Sequence, residues 1–155
     1  MSHKIIPIPG GSTQFEDGPI LQVSGNANSP INLSIKYCAA EIVANRPAVY
    51  GLIVFSSVLE YRWQEGYLEY EDFAAHKDDY EFGLIEVINS EYIKNIAAKG
   101  VRADFSEHRF GEGVDDAEVK HYRLAFDEYG RFDVIALSVS VSEISEGARL
   151  AGSHR

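Results

Sequence analysis

A single cysteine, Cys38, stands in this chain of 155 residues, so no disulfide can form within it. The paired-cysteine framework of small secreted domains is thereby excluded. Cations are scarce too: 14 Lys and Arg face 24 Asp and Glu, a formal charge of −10. That excess repels phosphate backbones and anionic lipid at long range, so neither nucleic acid nor a membrane surface is an expected partner. No apolar run reaches the length of a signal peptide or a membrane span, and Pro7 and Pro9 interrupt the short one near the start. The expectation is a cytoplasmic protein. No Cys/His spacing suits zinc, His76, His108 and His121 being isolated from one another in the sequence. Neither Asp78-Asp79-Glu81 nor Asp115-Asp116-Glu118 has the alternating acids and turn glycine of a calcium loop, so no metal is expected. Gly111 and Gly113 lack the Lys-Ser/Thr pair of a phosphate loop, the serines after Leu137 lack a nucleophile-elbow pattern, and no cofactor is implied.

What is present is a clear period of two. From Val119 to Ser142, Tyr122, Leu124 and Phe126 alternate with His121 and Arg123, and Ile135, Leu137, Val139 and Val141 alternate with Val134, Ala136, Ser138 and Ser140. Asp127 to Gly130 supplies a tight polar turn in which Gly130 is free to take positive φ. This register points Tyr122, Leu124 and Phe126 into the core and His121 and Arg123 outward or into a groove.

Earlier in the chain, Pro19 to Ser24 and Ile31 to Cys38 read as strands able to pair across a Gly25–Pro30 loop. Val49 to Trp63 is a long strand with Ile53, Phe55, Leu59, Tyr61 and Trp63 on one face, and a change of face at Ser56-Ser57 signals a bulge or bend. Tyr67 to Phe73 and Phe82 to Ile88 are two further strands. Asn89 or Ser90 caps the one convincing helix, which Lys99-Gly100 ends. The fold expected is α+β and mainly antiparallel β, a curved sheet or a two-layer β sandwich with one packed helix. One domain over 15–144 is flanked by a flexible arm, 1–14, and a frayed tail, 145–155.

Two surfaces are candidates for function. In the first, Glu65, Glu69, Glu71, Asp72, Asp78 and Asp79 are interleaved with Tyr67, Tyr70 and Tyr80. Aromatic anchors among carboxylates suit the capture of a basic protein, although a strand with one solvated and one buried face has the same pattern. In the second, His121, Arg123 and Asp127 share one strand face, where a carboxylate could polarise the imidazole and the guanidinium hold an anion. A solvated strand face again reads alike. Cys38 ends an alternating strand and suits an inert, buried thiol.

The hairpin HYRLAFDEYGRFDVIALSVSV and the upstream helix NSEYIKNIAAKG resemble a group of small β-rich bacterial proteins, some assigned as immunity proteins of polymorphic toxin systems. FEDGPILQV and INLSIKYC are loosely similar to the opening strands of that group. The resemblance implies a non-catalytic module that neutralises a partner, and it transfers no catalytic residue. The alternative is a small-molecule-binding or hydrolytic domain with its site between sheet and helix; a homodimer through an exposed strand edge fits either. On the first reading, reversing the charge of Glu69, Glu71 and Asp72 slows association with a basic partner and flattens its salt dependence, whereas truncating Tyr70 speeds dissociation. Stopped-flow association at graded salt measures both effects.

Overall fold

The structure is a computed structural model that describes residues 2–11, 19–26, 29–39, 47–64, 83–98, 119–126 and 129–150. Its strands are β1 (Ser2–Ile6), β2 (Ile20–Asn26), β3 (Ser29–Ala39), β4 (Val49–Gln64), β5 (Leu84–Ile88), β6 (Lys120–Phe126) and β7 (Gly130–Ile144). Two short helices are α1 (Glu91–Ala98) and α2 (Glu146–Leu150). Among the described residues the strands form one antiparallel sheet in the order β1-β5-β6-β7-β4-β3-β2, a single sheet and not a sandwich of two. No helix among the described residues is long and apolar enough to cross a membrane.

The sheet is curled. A Cβ built on Gly10 would lie only 2.4 Å from the Ala39 Cβ, so the segment after β1 reaches β3. Four residues from Ile6 to Gly10 span at most ~14 Å, whereas five strand spacings in a flat sheet would separate β1 from β3 by ~24 Å. Curling turns one face inward, and Leu33, Ile35, Tyr37, Ile53, Phe55, Leu84, Tyr122, Leu124, Phe126, Phe132 and Val134 fill it. Phe55 and Tyr122 meet there at 5.6 Å, and Phe126 packs edge-on against Phe132 at 5.8 Å. Ile8 covers part of this core, and the Tyr37 hydroxyl donates to the Pro9 carbonyl at 2.8 Å. Burial, with the nearby Glu143 charge adding to it, pushes that phenol well above its ordinary range, so it stays a donor.

Several elements differ from the reading of the sequence. The expected N-terminal arm begins as a strand, because Pro7 and Pro9 follow β1 and leave Ser2–Ile6 free to pair with β5. The expected tail begins as α2, where Ser145 Oγ caps the Ala148 N–H and Lys36 Nζ reaches the Ala148 carbonyl. In β4 the buried residue is Val58, while Leu59 is half-buried. Ser57 at φ 57 breaks the alternation and the β4–β7 register shifts between Val58 and Glu60, which is the bulge anticipated at Ser56-Ser57. Past it, Tyr61 and Trp63 are 44% and 52% exposed. The strand expected over 67–73 lies outside the described residues.

Gly130 opens β7 at φ 89, and a Cβ there would sit 2.1 Å from the Gln64 carbonyl oxygen and 2.7 Å from Trp63 Nε1. Both obstacles are fixed, since Trp63 Nε1 donates to the Tyr129 carbonyl at 2.7 Å. Gly130→Val is expected to cost about 2 kcal/mol or more from backbone strain and overlap together. Urea unfolding of the variant, read as a shift in midpoint at constant slope, measures it.

Candidate functional site

The β6–β7 hairpin pairs Phe126 with Gly130, and that closure sets Arg123 opposite Asp133 and Ala125 opposite Arg131. Alternation then brings His121, Arg123, Arg131 and Asp133 to the face opposite the apolar core. That second face is covered as well: His121, Arg123, Arg131 and Asp133 are between 2% and 9% exposed. Tyr122, Leu124 and Phe126 point into the core as the alternation requires, and His121 and Arg123 point away from it to line a groove while being buried themselves. β6 and the first half of β7 are thus buried on both faces, and β7 alternates only after Ala136, between half-buried and exposed residues.

Asp133 is the hub of this layer. Its Oδ1 accepts from His121 Nε2 at 2.7 Å and Arg123 Nε at 3.0 Å, and its Oδ2 accepts from Arg131 Nε at 3.2 Å. Arg131 Nη2 also donates to Gln64 Oε1 at 2.8 Å. Burial alone would raise the carboxyl's pKa, but the His121 hydrogen bond and the Arg123 and Arg131 charges outweigh it and hold the group well below the usual carboxylate range. An ionised carboxylate only accepts, so His121 Nε2 carries a proton, and in the neutral ring Nδ1 keeps its lone pair. Ser90 Oγ lies 2.6 Å from that Nδ1 and donates to it whenever the ring is neutral.

Ser90 has a second duty. It is the N-cap of α1: its Oγ accepts the Ile93 N–H at 3.2 Å and its carbonyl accepts the Lys94 N–H at 3.2 Å. Only Asn89 and Ser90 separate β5 from the helix, a sharp reversal that Asn89 allows at φ 54, a conformation asparagine tolerates better than most residues. Glu91 and Tyr92 follow, and their N–H groups precede the first helical acceptor. The Tyr92 ring lies 5.6 Å from the His121 ring and 5.2 Å from the Arg62 guanidinium, and its hydroxyl donates to Glu60. It therefore spans from β6 to β4 across β7, along the row Glu60–Ile135–His121. Beside it opens a cleft of about 540 Å³ lined by Val87, Ile88, Asn89, Ser90, Glu91, Tyr92, His121 and Arg123.

No family model, curated protein or solved structure matches this chain. The chemistry has to be read from the geometry. A hydroxyl and an imidazole stand in series at the cleft wall, with a guanidinium beside them and a carboxylate behind the imidazole. Among the described residues no group of three or more His, Cys, Asp or Glu side chains is placed to hold a metal ion.

Of the residues expected to form a site, His121 and Arg123 meet here, while Asp127 lies outside the described residues. The carboxylate that touches both is Asp133, on the neighbouring strand. The acidic and aromatic set Glu65, Tyr67, Glu69, Tyr70, Glu71, Asp72, Asp78, Asp79 and Tyr80 also lies outside the described residues. Ser90, Arg131 and Asp133 were not anticipated. A signal for two of them exists: Arg131 and Asp133 are charged residues two apart inside the run GRFDVIA, and pairing Phe126 with Gly130 puts Asp133 opposite Arg123.

Asp133→Asn is expected to destabilise the fold by about 3–5 kcal/mol at neutral pH, because it removes the buried negative charge that Arg123 and Arg131 share. The depressed carboxyl pKa contributes stability that is complete above the unfolded-state value of about 3.9 and is lost as pH falls below it toward the folded-state value. The difference between wild type and Asp133→Asn should thus shrink as pH drops from 6 to 3. Denaturant titrations along that pH series measure it.

Proposed function

We propose that this chain is a small-molecule-binding domain whose site is the cleft between the start of α1 and the face of β5 and β6 that carries Val87, His121 and Arg123. The observation that carries this reading is the placement of buried, mutually bonded polar groups, His121 and Ser90, at the wall of an open cleft of about 540 Å³. A volume of that size suits a compact organic ligand. Val87 and Ile88 supply apolar contact, and Tyr92 offers an aromatic edge. The N–H groups of Glu91 and Tyr92, together with Arg123, favour an oxygen acceptor on the ligand, a carboxylate or a carbonyl. The ligand class is accordingly a short acyl compound with its oxygen end toward α1 and its carbon chain toward β5. The acidic, tyrosine-rich surface expected to take a basic protein rests on residues outside those described, so the cleft carries the proposal.

Titration with short-chain carboxylates and their methyl esters, followed by amide and imidazole NMR shifts, tests the reading. Shifts should concentrate at Val87–Tyr92, His121 and Arg123, and Tyr92→Ala should weaken binding about tenfold, the loss of one ring contact. Shifts that are absent, or scattered over the sheet, would rule the cleft out as a ligand site.

A further inference from the structure

We infer that Ser90 is a nucleophile and that the cleft cleaves small carboxylic esters; this rests on the acyl-ligand reading of the same cleft. Three geometric conditions for nucleophilic catalysis are met together. The hydroxyl lies within hydrogen-bond reach of a base, Ser90 Oγ to His121 Nδ1 at 2.6 Å. The base is oriented by a third group, His121 Nε2 to Asp133 Oδ1 at 2.7 Å, and that carboxylate is kept ionised by Arg123 and Arg131. Both the hydroxyl and the base line an open cleft. The order of the ring nitrogens is reversed relative to the best-known serine hydrolases, with the carboxylate on Nε2 and the hydroxyl on Nδ1. Either nitrogen can serve as base once the other is fixed as the donor.

The capping role of Ser90 leaves this chemistry open. A serine oxygen has one proton and two lone pairs. The proton goes to His121 and one lone pair accepts the Ile93 N–H, so one lone pair is left for attack. Attack forms the bond from Oγ to the ester carbonyl carbon as the hydroxyl proton moves to His121 Nδ1. The carbonyl π electrons move onto oxygen, beside the Glu91 and Tyr92 N–H groups at the start of α1. The intermediate collapses, the bond to the alkoxy group breaks, and the leaving alcohol takes the proton from Nδ1. Water repeats the sequence on acyl-Ser90, giving the free acid and restoring the hydroxyl. Arg123 is the group suited to hold a carboxylate end, whether on the substrate or on the product acid.

The test uses the full chain with a fluorophosphonate probe and with p-nitrophenyl acetate. Intact-mass and peptide analysis should place the phosphonyl group on Ser90, and p-nitrophenolate should appear in a burst followed by slow turnover. Ser90→Asn keeps an N-cap side chain but has no nucleophile, so it should fold with the wild-type circular dichroism and yet neither label nor turn over ester. His121→Gln should label about 100-fold more slowly, the ordinary worth of a general base. Carboxylate binding without a label on Ser90, or ester turnover that survives Ser90→Asn, would overturn the nucleophile while leaving the binding site in place. Absence of both binding and label would overturn the two readings together.

Discussion

Everything on the second face of the sheet is organised by one buried carboxylate. Asp133 is 2% exposed and accepts from a histidine and two arginines. Removing a carboxylate and its cations from water costs several kcal/mol per ion, which is recovered only when geometry and hydrogen bonds are nearly complete. The bonds to both oxygens of Asp133 meet that demand. The same demand makes the arrangement selective. Slipping β7 by one residue against β6 would carry both Arg131 and Asp133 to the apolar face among Phe55, Tyr122 and Leu124, and would bring Phe132 or Val134 beside Arg123.

The carboxylate also governs what lies above the sheet. By fixing a proton on His121 Nε2, it turns Nδ1 toward Ser90, and Ser90 in turn caps α1. The start of the helix is thereby tied to the sheet through a chain of three side chains and not through an apolar stripe alone. Tyr92 adds a second tie, reaching over β7 to Glu60 and Arg62. The cleft lies where these ties meet the edge of the polar layer, so its wall is held in place by the groups that would act on a ligand. Such support is what a precise site needs, since unsupported side chains lose geometry before they lose contact.

Much of the sheet was legible in the sequence. The β6–β7 hairpin, the inward set Tyr122, Leu124 and Phe126, the bulge in β4, the β2–β3 pairing and the cap at Ser90 all follow from alternation, turn residues and capping chemistry, which are local. Strand β1 is hidden in the sequence by Pro7 and Pro9, which lie just beyond it and signal a break. Parity along β4 puts Tyr61 and Trp63 with the core, yet the sheet beyond the bulge leaves them exposed.

The amino-acid sequence by itself determined the alternation of β3, of β6 and of β4 as far as its bulge, and with it the inward-facing residues there, because hydrophobic alternation and turn chemistry act over a few residues. It could not say that the opposite face is buried too. His121 and Arg123 on a strand read as facing outward or into a groove, since charged side chains are seldom buried unless paired, and their partner Asp133 stands on another strand. Only the tertiary structure decided that pairing: cross-strand register set Asp133 beside Arg123, and a two-residue turn after β5 brought Ser90 over His121. Site chemistry depends on contacts between segments far apart in the chain, and such contacts leave no period to be read along it.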